Sequence, residues 1–412
     1  MWCTALIRSN ALHNRDFRLY WLALIISAVG TWMQIVAQSL LVLRLSHGNA
    51  AALGVVALAQ ASAFFLFALY GGSIADRIDR RRLLLVTQSI LMLIAFLIGL
   101  LVVRRMIHVW MVVVAAFISG VVLSFDQPAR SAFLPSLVAE VDLPSAISLQ
   151  STVFTGAAAI APVLAGLWIG HFGLAGNFFF NSASYLAVLL ALLFLRHESG
   201  VAKSRPPSRF WDSIREGLAT VRGDPVLTWA VSGYALLLFA APSMQILLPV
   251  LADRVLHAGA TSLGLLFAAF GAGSIGGALL IPWLAGLGPA NRIYLGALAL
   301  WVCALSTIAL THQASVYLIA LLLLGAAQSA ISTLTITLLQ SRVVKQMRGR
   351  MMSLQTLLNM GLRPLGDFPL SVLMAQLGAP AAAGISAAII GGYTVFLARQ
   401  SKMADRVTYP IV

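Results

Sequence analysis

Charged residues are scarce in this chain. Only 10% of its 412 residues are Asp, Glu, Lys or Arg, whereas 60% are hydrophobic. Soluble domains carry about 25% charged residues, so this composition excludes a set of ordinary soluble domains. It fits a protein whose leucine, alanine and valine side chains face lipid.

Cysteine and the motifs of nucleotide and metal binding are also missing or rare. Of the two cysteines, Cys3 precedes the first apolar run and Cys303 lies inside a later one. This separation argues against a disulfide. No spacing of Cys and His typical of a metal site occurs, and no Gly-x-x-x-x-Gly-Lys-Ser/Thr is present. The connectors are too short for a soluble catalytic domain. We therefore expect no enzyme activity, no catalytic residues, no cofactor and no metal.

Basic residues outnumber acidic ones, and the formal net charge is +14 at pH 7. A positive charge of this size is one that nucleic-acid-binding proteins often carry, so nucleic acid must be considered as a partner. The basic residues, however, lie in short connectors between apolar runs, where they set the orientation of a membrane protein. We expect membrane lipids as the surroundings and no nucleic-acid partner.

Twelve apolar runs approach the length of about 20 residues that a membrane-spanning helix needs. They lie near residues 18–43, 51–74, 83–103, 109–126, 146–170, 176–195, 226–251, 262–286, 292–311, 314–340, 352–377 and 381–398. The even number places both termini on one side of the membrane.

The placement of arginine and lysine predicts which side that is. Of the 27 basic residues, 22 fall in connectors on the side of the termini, and Arg363 lies inside a span. Arg44, Arg104, Arg105 and Arg254 fall on the other side. Such a bias predicts cytoplasmic termini. The arginine-rich, lysine-poor set favours a bacterial inner (plasma) membrane. Residues 1–14 lack the apolar core and cleavage site of a signal peptide, so the first span is expected to direct insertion.

The longest connector divides the chain. We expect an N-terminal six-helix bundle over residues 1–195, a cytoplasmic middle loop over 196–225, and a C-terminal six-helix bundle with a short cytoplasmic tail over 226–412. The predicted fold class is therefore an all-α membrane protein with twelve transmembrane helices in two six-helix bundles. Apolar residues recur at helical spacing from Phe210 to Val221, which predicts an amphipathic helix. It either lies on the membrane surface or packs on the bundle ends.

Three charged segments lie between or beside these runs. The first is Gly72-Ser-Ile-Ala-Asp-Arg-Ile-Asp-Arg-Arg-Arg82, the second is Asp126-Gln-Pro-Ala-Arg130, and the third is Arg215-Glu-Gly-Leu218. Over nearly its whole length the chain resembles the major facilitator superfamily of transporters. The last two segments are similar to the branch that holds the enterobactin exporter and macrolide efflux proteins.

The resemblance implies a carrier that alternates a central site between the two membrane faces. In that family the Asp of the first segment caps the start of the eleventh span, and an Arg of the segment pairs with an acidic residue of the fourth. The resemblance thus implies a conformational latch, which would hold the outward-facing state. Its residues are Gly72, Asp76, Arg77, Arg80, Asp126 and Arg130.

The segments also depart from the family's pattern. Asp79 stands where a glycine is usual, and Phe117 aligns with a position where drug antiporters often carry arginine. The glycine-rich stretch of the fifth span also carries alanines. These differences weaken the transfer of the drug and proton antiport mechanism.

One acidic residue, Asp367, is expected well inside a span, and Arg363 precedes it by four residues on the same helical face. Ionisable residues inside a membrane are costly and commonly functional. One interpretation is that Asp367 takes and releases a proton while Arg363 tunes it and offers an anion site, so the two would couple transport. The alternative is a fixed ion pair that holds the eleventh span to its neighbours.

Uncharged polar side chains on the spans are the candidates for a substrate cavity, with interhelical packing as the alternative. They are Thr31, Gln34, Gln38, Asn177, Asn181, Tyr234, Gln245, Gln328 and Thr333.

These observations favour a secondary active exporter of an amphipathic small molecule, such as a siderophore or drug-like metabolite. We expect proton-coupled antiport by a monomer, with the small molecule and protons as partners. The alternatives are a nutrient importer of the same fold and a lipid-handling or sensory membrane protein that does not cycle. A channel would need a polar pore lining, which these spans lack.

Overall fold

The computed structural model describes residues 10–75, 78–195, 210–256, 260–285, 288–311, 313–344 and 347–404. Within these ranges the chain is helical and contains no strand. A short 3₁₀ helix, Asn10–His13, leads into the first long helix.

Five α-helices make up the first half of the described chain. They are α1 (Arg15–Leu45), α2 (Ala50–Ala75), α3 (Arg80–Val103), α4 (Val109–Phe133) and α5 (Leu143–Phe194). The 52-residue α5 is bent at Gly173, whose φ of 69° and ψ of −177° are not helical. Only glycine adopts such angles without strain, so α5 comprises two consecutive spans.

Nine α-helices make up the second half of the described chain. They are α6 (Phe210–Gly223), α7 (Pro225–Ala240), α8 (Met244–Val250), α9 (Ala260–Ala285), α10 (Ala290–Leu310), α11 (Ala314–Ser341), α12 (Arg348–Leu357), α13 (Arg363–Leu377) and α14 (Ala379–Ala404). A π-helical turn, Leu251–Val255, follows α8, and another, Leu358–Leu362, joins α12 to α13.

The predicted number of membrane spans is confirmed within the described residues. Ten helical stretches are long and apolar enough to cross a membrane. One of them, Glu140–Phe194, contains the bend in α5 and counts twice. The interrupted helix from Arg348 to Leu377 supplies the last, which brings the total to twelve.

Contacts group the described residues into two units. The first unit comprises residues 10–45 and 59–195, and the second comprises residues 46–58 and 210–404. The division at residues 196–225 stays a prediction. The contact grouping differs from it in placing 46–58, which include the start of α2, with the later helices.

The core of the first unit lies where α1 meets α4 and α5. Phe17, Tyr20 and Leu24 of α1 are buried together with Phe133 and Leu192. The rings of Tyr20 and Phe133 meet edge to face, with centroids 5.4 Å apart. Because lipid tails are as apolar as these side chains, the contact stabilises the unit mainly through close van der Waals packing.

The second unit has an aromatic core. Trp301, Tyr294 and Tyr317 are completely buried. The ring of Tyr294 packs against Trp229 at a tilt of 51°, with centroids 4.8 Å apart, and its hydroxyl donates to the carbonyl of Ala230 at 2.8 Å. Burial of the rings therefore leaves this phenol hydrogen-bonded, as a low-dielectric interior requires.

The predicted amphipathic helix forms α6, and it packs against α12. Gly217 lies in this contact, where an added Cβ would sit 3.4 Å from the carbonyl oxygen of Arg350. Glu216 and Arg350 form an ion pair beside it. Of the two alternatives for this helix, these contacts favour docking on the bundle end. The side chains of residues 210–214 lie outside the described set.

Two adjacent glycines of α9 differ in their surroundings and allow a matched test of helix packing. A Cβ at Gly277 would overlap the carbonyl oxygen of Ala326 in α11, whereas one at Gly276 meets no atom within 4 Å. We expect Gly277→Ala to destabilise the protein by about 1–3 kcal/mol, since backbone must shift to admit the methyl group. Gly276→Ala should be neutral or stabilising by up to about 1 kcal/mol. Thermal unfolding in detergent measures both, and equal effects would contradict the packing described.

Candidate functional site

The loop between α2 and α3 is only partly described. Asp76 and Arg77 of the predicted latch lie outside the described residues, as do the surroundings of Gly72. Asp79 is the N-cap of α3, where its carboxylate accepts from the amide of Arg82 at 3.0 Å. The residue that departs from the family's glycine thus takes over a capping role. The sequence carries a signal for this cap, an Asp three residues before Arg82.

Gly71, near the end of α2, packs closely against α4. A Cβ there would overlap the carbonyl oxygen of Ser124. The two helix backbones therefore approach each other directly beside the predicted latch glycine, Gly72.

Asp126 lies at the centre of a buried polar cluster in the first unit. Its side chain is only 3% exposed. One carboxylate oxygen accepts from Thr87 Oγ1 at 2.8 Å and Gln88 Nε2 at 2.7 Å. The other accepts from Arg130 Nη2 at 2.9 Å and Nε at 3.3 Å. Four donors therefore neutralise a charge that would otherwise be costly at this depth.

The sequence placed Asp126 at the end of the fourth span, and this position requires correction. The helix α4 continues to Phe133, so Asp126 lies about two turns inside it. The apolar run ends at residue 126 because polar residues follow it, including Gln127 and Arg130. These residues belong to the same helix. Hydropathy marks where the apolar run ends and cannot mark where the helix ends.

The expected pairing of Arg80 with Asp126 is not found. Arg80 Nη1 instead donates to the backbone carbonyl of Ala132 at 3.0 Å. Asp126 is already saturated by Arg130, one turn along its own helix, and by two residues of α3. Among the latch residues that the structure describes, it therefore brings together Asp126 and Arg130 and places Arg80 at the end of α4.

A second polar cluster joins α1 to α5 in the first unit. Asn181 is buried, and its Nδ2 donates to Oε1 of Gln34 at 2.7 Å. Ser184 Oγ donates to Asn181 Oδ1 at 3.0 Å, and the hydroxyl of Tyr185 faces Thr31 and Asn181. The structure thus unites Thr31, Gln34 and Asn181 of the predicted cavity set.

The other two predicted cavity residues of the first unit, Gln38 and Asn177, do not join this cluster. Gln38 is half-buried one turn further along α1, without a recorded hydrogen bond among the described residues. Asn177 is completely buried, and its Nδ2 donates to the carbonyl of Ala165 at 3.4 Å. Asn177 therefore ties the two arms of α5 together, which is the packing alternative.

In the second unit the seventh span is broken. The helix α7 ends at Ala240 and α8 begins at Met244, and the backbone of Ala241 and Ser243 between them is extended. Gly366 of α13 packs directly on this break, since a Cβ there would overlap the carbonyl oxygen of Phe239. Non-helical backbone at membrane depth must find internal hydrogen-bond partners.

Asp367 supplies one such partner. It is 5% exposed, and its Oδ1 accepts from the amide of Ser243, the N-cap of α8, at 3.0 Å. The predicted ion pair is absent: Arg363 lies within electrostatic reach of the carboxylate but not within 4.0 Å of it. Asp367 turns toward the broken span because unpaired amides at a helix start attract negative charge. Arg363 is half-buried and forms no hydrogen bond among the described residues.

The remaining predicted cavity residues of the second unit are dispersed. Tyr234 is buried, and its hydroxyl donates to Oδ1 of Asn359 in the π-helical turn at 2.9 Å. Gln245 is exposed, and Gln328 and Thr333 are half-buried on α11. Asn359 was missed at the sequence level, although an asparagine four residues before Arg363 is a polar signal of the same kind.

A cavity of about 750 Å³ also opens in the second unit, at the ends of α8 and α13. Asn49, Val250, Val372 and Gln376 are among the residues that line it. None of the predicted cavity residues lies on its wall. Among the described residues, no cluster of His, Cys, Asp and Glu is suited to a metal ion.

Asp224 fixes the start of the seventh span. Its carboxylate accepts from the amides of Val226 and Leu227 and from Arg342 Nε at 2.8 Å. Burial alone would raise the pKa of Asp224, but these hydrogen bonds outweigh it and hold the pKa below its ordinary value of 3.8. The resulting stabilisation is present above the ordinary value and is lost as the pH falls through the lowered one.

Comparison with known proteins places this geometry in context. The profile of a family described as transmembrane secretion effectors, within the major facilitator superfamily, matches residues 9–406. The chain is 23% identical over 351 residues to the staphyloferrin A transporter of Staphylococcus aureus, covering 84% of this chain and 86% of that protein. It is 28% identical over 384 residues to the enterobactin exporter EntS of Citrobacter koseri, covering 91% and 88%.

The fold has solved counterparts. The crystal structure of a bacterial homologue of the iron transporter ferroportin, in its inward-facing state, aligns with a TM-score of 0.71. The alignment covers 92% of this chain and 98% of that one at 18% sequence identity. This likeness shows a shared fold alone.

The Asp126 cluster predicts a specific pattern of stability losses. Asp126→Asn leaves Arg130 buried without its counter-ion, and we expect a loss of about 3–5 kcal/mol. The double variant Asp126→Asn/Arg130→Gln should recover part of it, since no unpaired charge remains. Exposed Glu140→Gln is the control, and unfolding in detergent is the measurement. A double variant no more stable than the single would show that the arginine does not depend on this carboxylate.

Proposed function

Because the chain belongs to the transmembrane secretion effector family of the major facilitator superfamily, we propose that it exports an amphipathic, siderophore-like small molecule in exchange for protons. The chain is a multi-pass membrane transporter, and its relatives are transporters rather than enzymes. Beyond this, we propose the direction of transport, the class of cargo, the coupling ion and a location in the bacterial inner membrane.

The charged residues within the spans are the observation that supports an anionic cargo. Among the described residues, Asp126 and Asp367 are the buried carboxylates. Asp126 is saturated by four hydrogen bonds, so it has no free capacity for a cationic cargo. Arg363 is partly accessible and has no ion-pair partner within 4.0 Å. The spans therefore offer an unpaired cation to an anionic cargo.

The names of the relatives support the direction and the cargo class. One is named as a transporter of staphyloferrin A and another as an exporter of enterobactin. The family description refers to secretion. At 23–28% identity these names support a proposal for this chain, and its own cargo must be measured.

Asp367 is the proposed coupling residue. As a carboxylate it accepts the hydrogen bond from Ser243 and caps α8. Protonation would remove the charge that favours this helix start and leave a weaker neutral hydrogen bond. The segment beyond the break in the seventh span would then be freer to move.

The latch residues complete the proposed cycle. Asp126 and Arg130 are paired in the structure, and Arg80 bonds the end of α4. In another state of the alternating-access cycle, Asp126 would pair with Arg80 instead of Arg130. Asp76 and Arg77 would take part in the same rearrangement. The role is a conformational one, since these groups do not touch cargo.

The direction and the cargo are tested in the native host. Medium and cell extract of a deletion strain and its parent, grown with and without iron, are compared by untargeted mass spectrometry. We expect a compound that disappears from the medium and accumulates in the deletion strain, with reversal on complementation. A compound left behind in the medium would establish the importer instead. No difference in either fraction, under both iron conditions, would contradict export of a siderophore-like metabolite made by the host.

The coupling role of Asp367 predicts separable transport activities. In proteoliposomes, Asp367→Asn should reduce transport driven by a pH gradient at least tenfold, because the side chain no longer titrates. Exchange of labelled for unlabelled cargo without a gradient should persist, since the amide oxygen still accepts from Ser243. Glu140→Gln should leave both activities intact. Gradient-driven transport at the wild-type rate in Asp367→Asn would exclude this residue as the coupling group.

A further inference from the structure

The side chain of Gln34 is oriented by a chain of hydrogen bonds. Asn181 is 1% exposed, and Ser184 Oγ lies 2.7 Å from its carbonyl oxygen and 3.0 Å from its Oδ1. Nδ2 of Asn181 donates to Oε1 of Gln34 at 2.7 Å. The acceptor end of Gln34 is therefore occupied.

Gly30 leaves the space that this arrangement needs. A Cβ at residue 30 would lie 2.7 Å from Asn181 Oδ1 and would also crowd Ser184. Any larger residue there would displace the asparagine from its position. The orientation of Gln34 thus depends on α1 and α5 approaching each other closely.

The donor end of Gln34 is unused. Its Nε2 carries two N–H groups, and no acceptor for them is present among the described residues. Gln34 is only half-buried, so these groups remain accessible. A polar donor at membrane depth gains most from an oxygen acceptor that arrives with another molecule.

The buried interior of the described first unit offers no free counter-ion for a cation. Asp126 is its one buried carboxylate, and four donors leave it neutralised. The other described carboxylates of the unit lie at helix starts: Asp16, Asp79, Glu140 and Asp142. A donor without a free buried acid in its unit favours a ligand that presents oxygen acceptors, such as a carboxylate. It disfavours an organic cation.

We propose that Gln34 determines cargo specificity by donating from Nε2 to a carboxylate-type oxygen of an anionic cargo, and that Asn181 is its positioning residue. The inference rests on the proposed transport of an amphipathic small molecule. It concerns binding alone and holds for either direction and any coupling ion.

Two dyes with a common xanthene skeleton and opposite charge test the inference. Carboxyfluorescein carries carboxylates, and rhodamine 6G is a cation. Binding to purified full-length protein is followed by fluorescence anisotropy in detergent. We expect wild-type protein to bind carboxyfluorescein at least tenfold more tightly than rhodamine 6G. Equal binding, preference for the cation or binding of neither dye would overturn the proposed class.

Variants assign the preference to Gln34. Gln34→Glu keeps the acceptor for Asn181 but replaces the donor, so carboxyfluorescein affinity should fall at least tenfold at neutral pH. The loss should shrink at acidic pH, where a protonated Glu can donate. Gln127→Glu, at an exposed position on α4 of the same unit, adds the same charge and should change affinity less than threefold. Equal losses in both variants would indicate a general charge effect and overturn the role of Gln34.

The positioning role has its own readout. Asn181→Ala should weaken carboxyfluorescein binding and also reduce discrimination between the dyes, since Gln34 becomes free to rotate. Unfolding temperatures of all variants are measured in parallel. If Asn181→Ala is folded and binds both dyes as wild type does, Asn181 does not position Gln34. If wild-type protein shows no preference for carboxyfluorescein while host export is intact, this inference is refuted and the proposed function stands.

Discussion

The hydrogen bond from the Ser243 amide to Asp367 is the interaction on which the second unit depends. A helix broken inside a membrane exposes amides and carbonyls that lipid cannot satisfy. The chain meets this requirement with a carboxylate from a neighbouring span, held close by Gly366. The π-helical turn at Leu358–Leu362 is a second interruption, and Asn359 there accepts from Tyr234. Both irregular segments are thus tied to the seventh span.

The two buried carboxylates illustrate different uses of the same group. Asp126 has four donors and a guanidinium partner, so its charge is locally compensated. Asp367 has one backbone donor and a more distant arginine. A compensated carboxylate holds helices together, and a sparsely compensated one responds to small changes in its surroundings. The sites differ in the number of donors within reach, since both are equally buried.

Much of this organisation could be predicted from the sequence. The lengths of the apolar runs predicted twelve spans, and Gln34 and Asn181, both predicted as cavity residues, meet in the structure. Partners were harder to predict. The four-residue spacing of Arg363 and Asp367 places them on one face, but spacing within a helix cannot tell that a broken neighbour offers a better partner. Likewise, hydropathy ended the fourth span at Asp126, because it measures apolarity and cannot sense hydrogen bonds that extend a helix.

The bend at Gly173 limits where an antibody or a protease can bind the first unit. Two spans turn into each other within one residue of left-handed backbone, so almost no polypeptide is left between them. An antibody or a protease needs several accessible residues of extended chain to bind. The connection between α3 and α4 offers such a segment, with Arg104 and Arg105 exposed and Arg105 in the left-handed region. Epitope tags and binders are therefore better directed to residues 104–108 than to the bend.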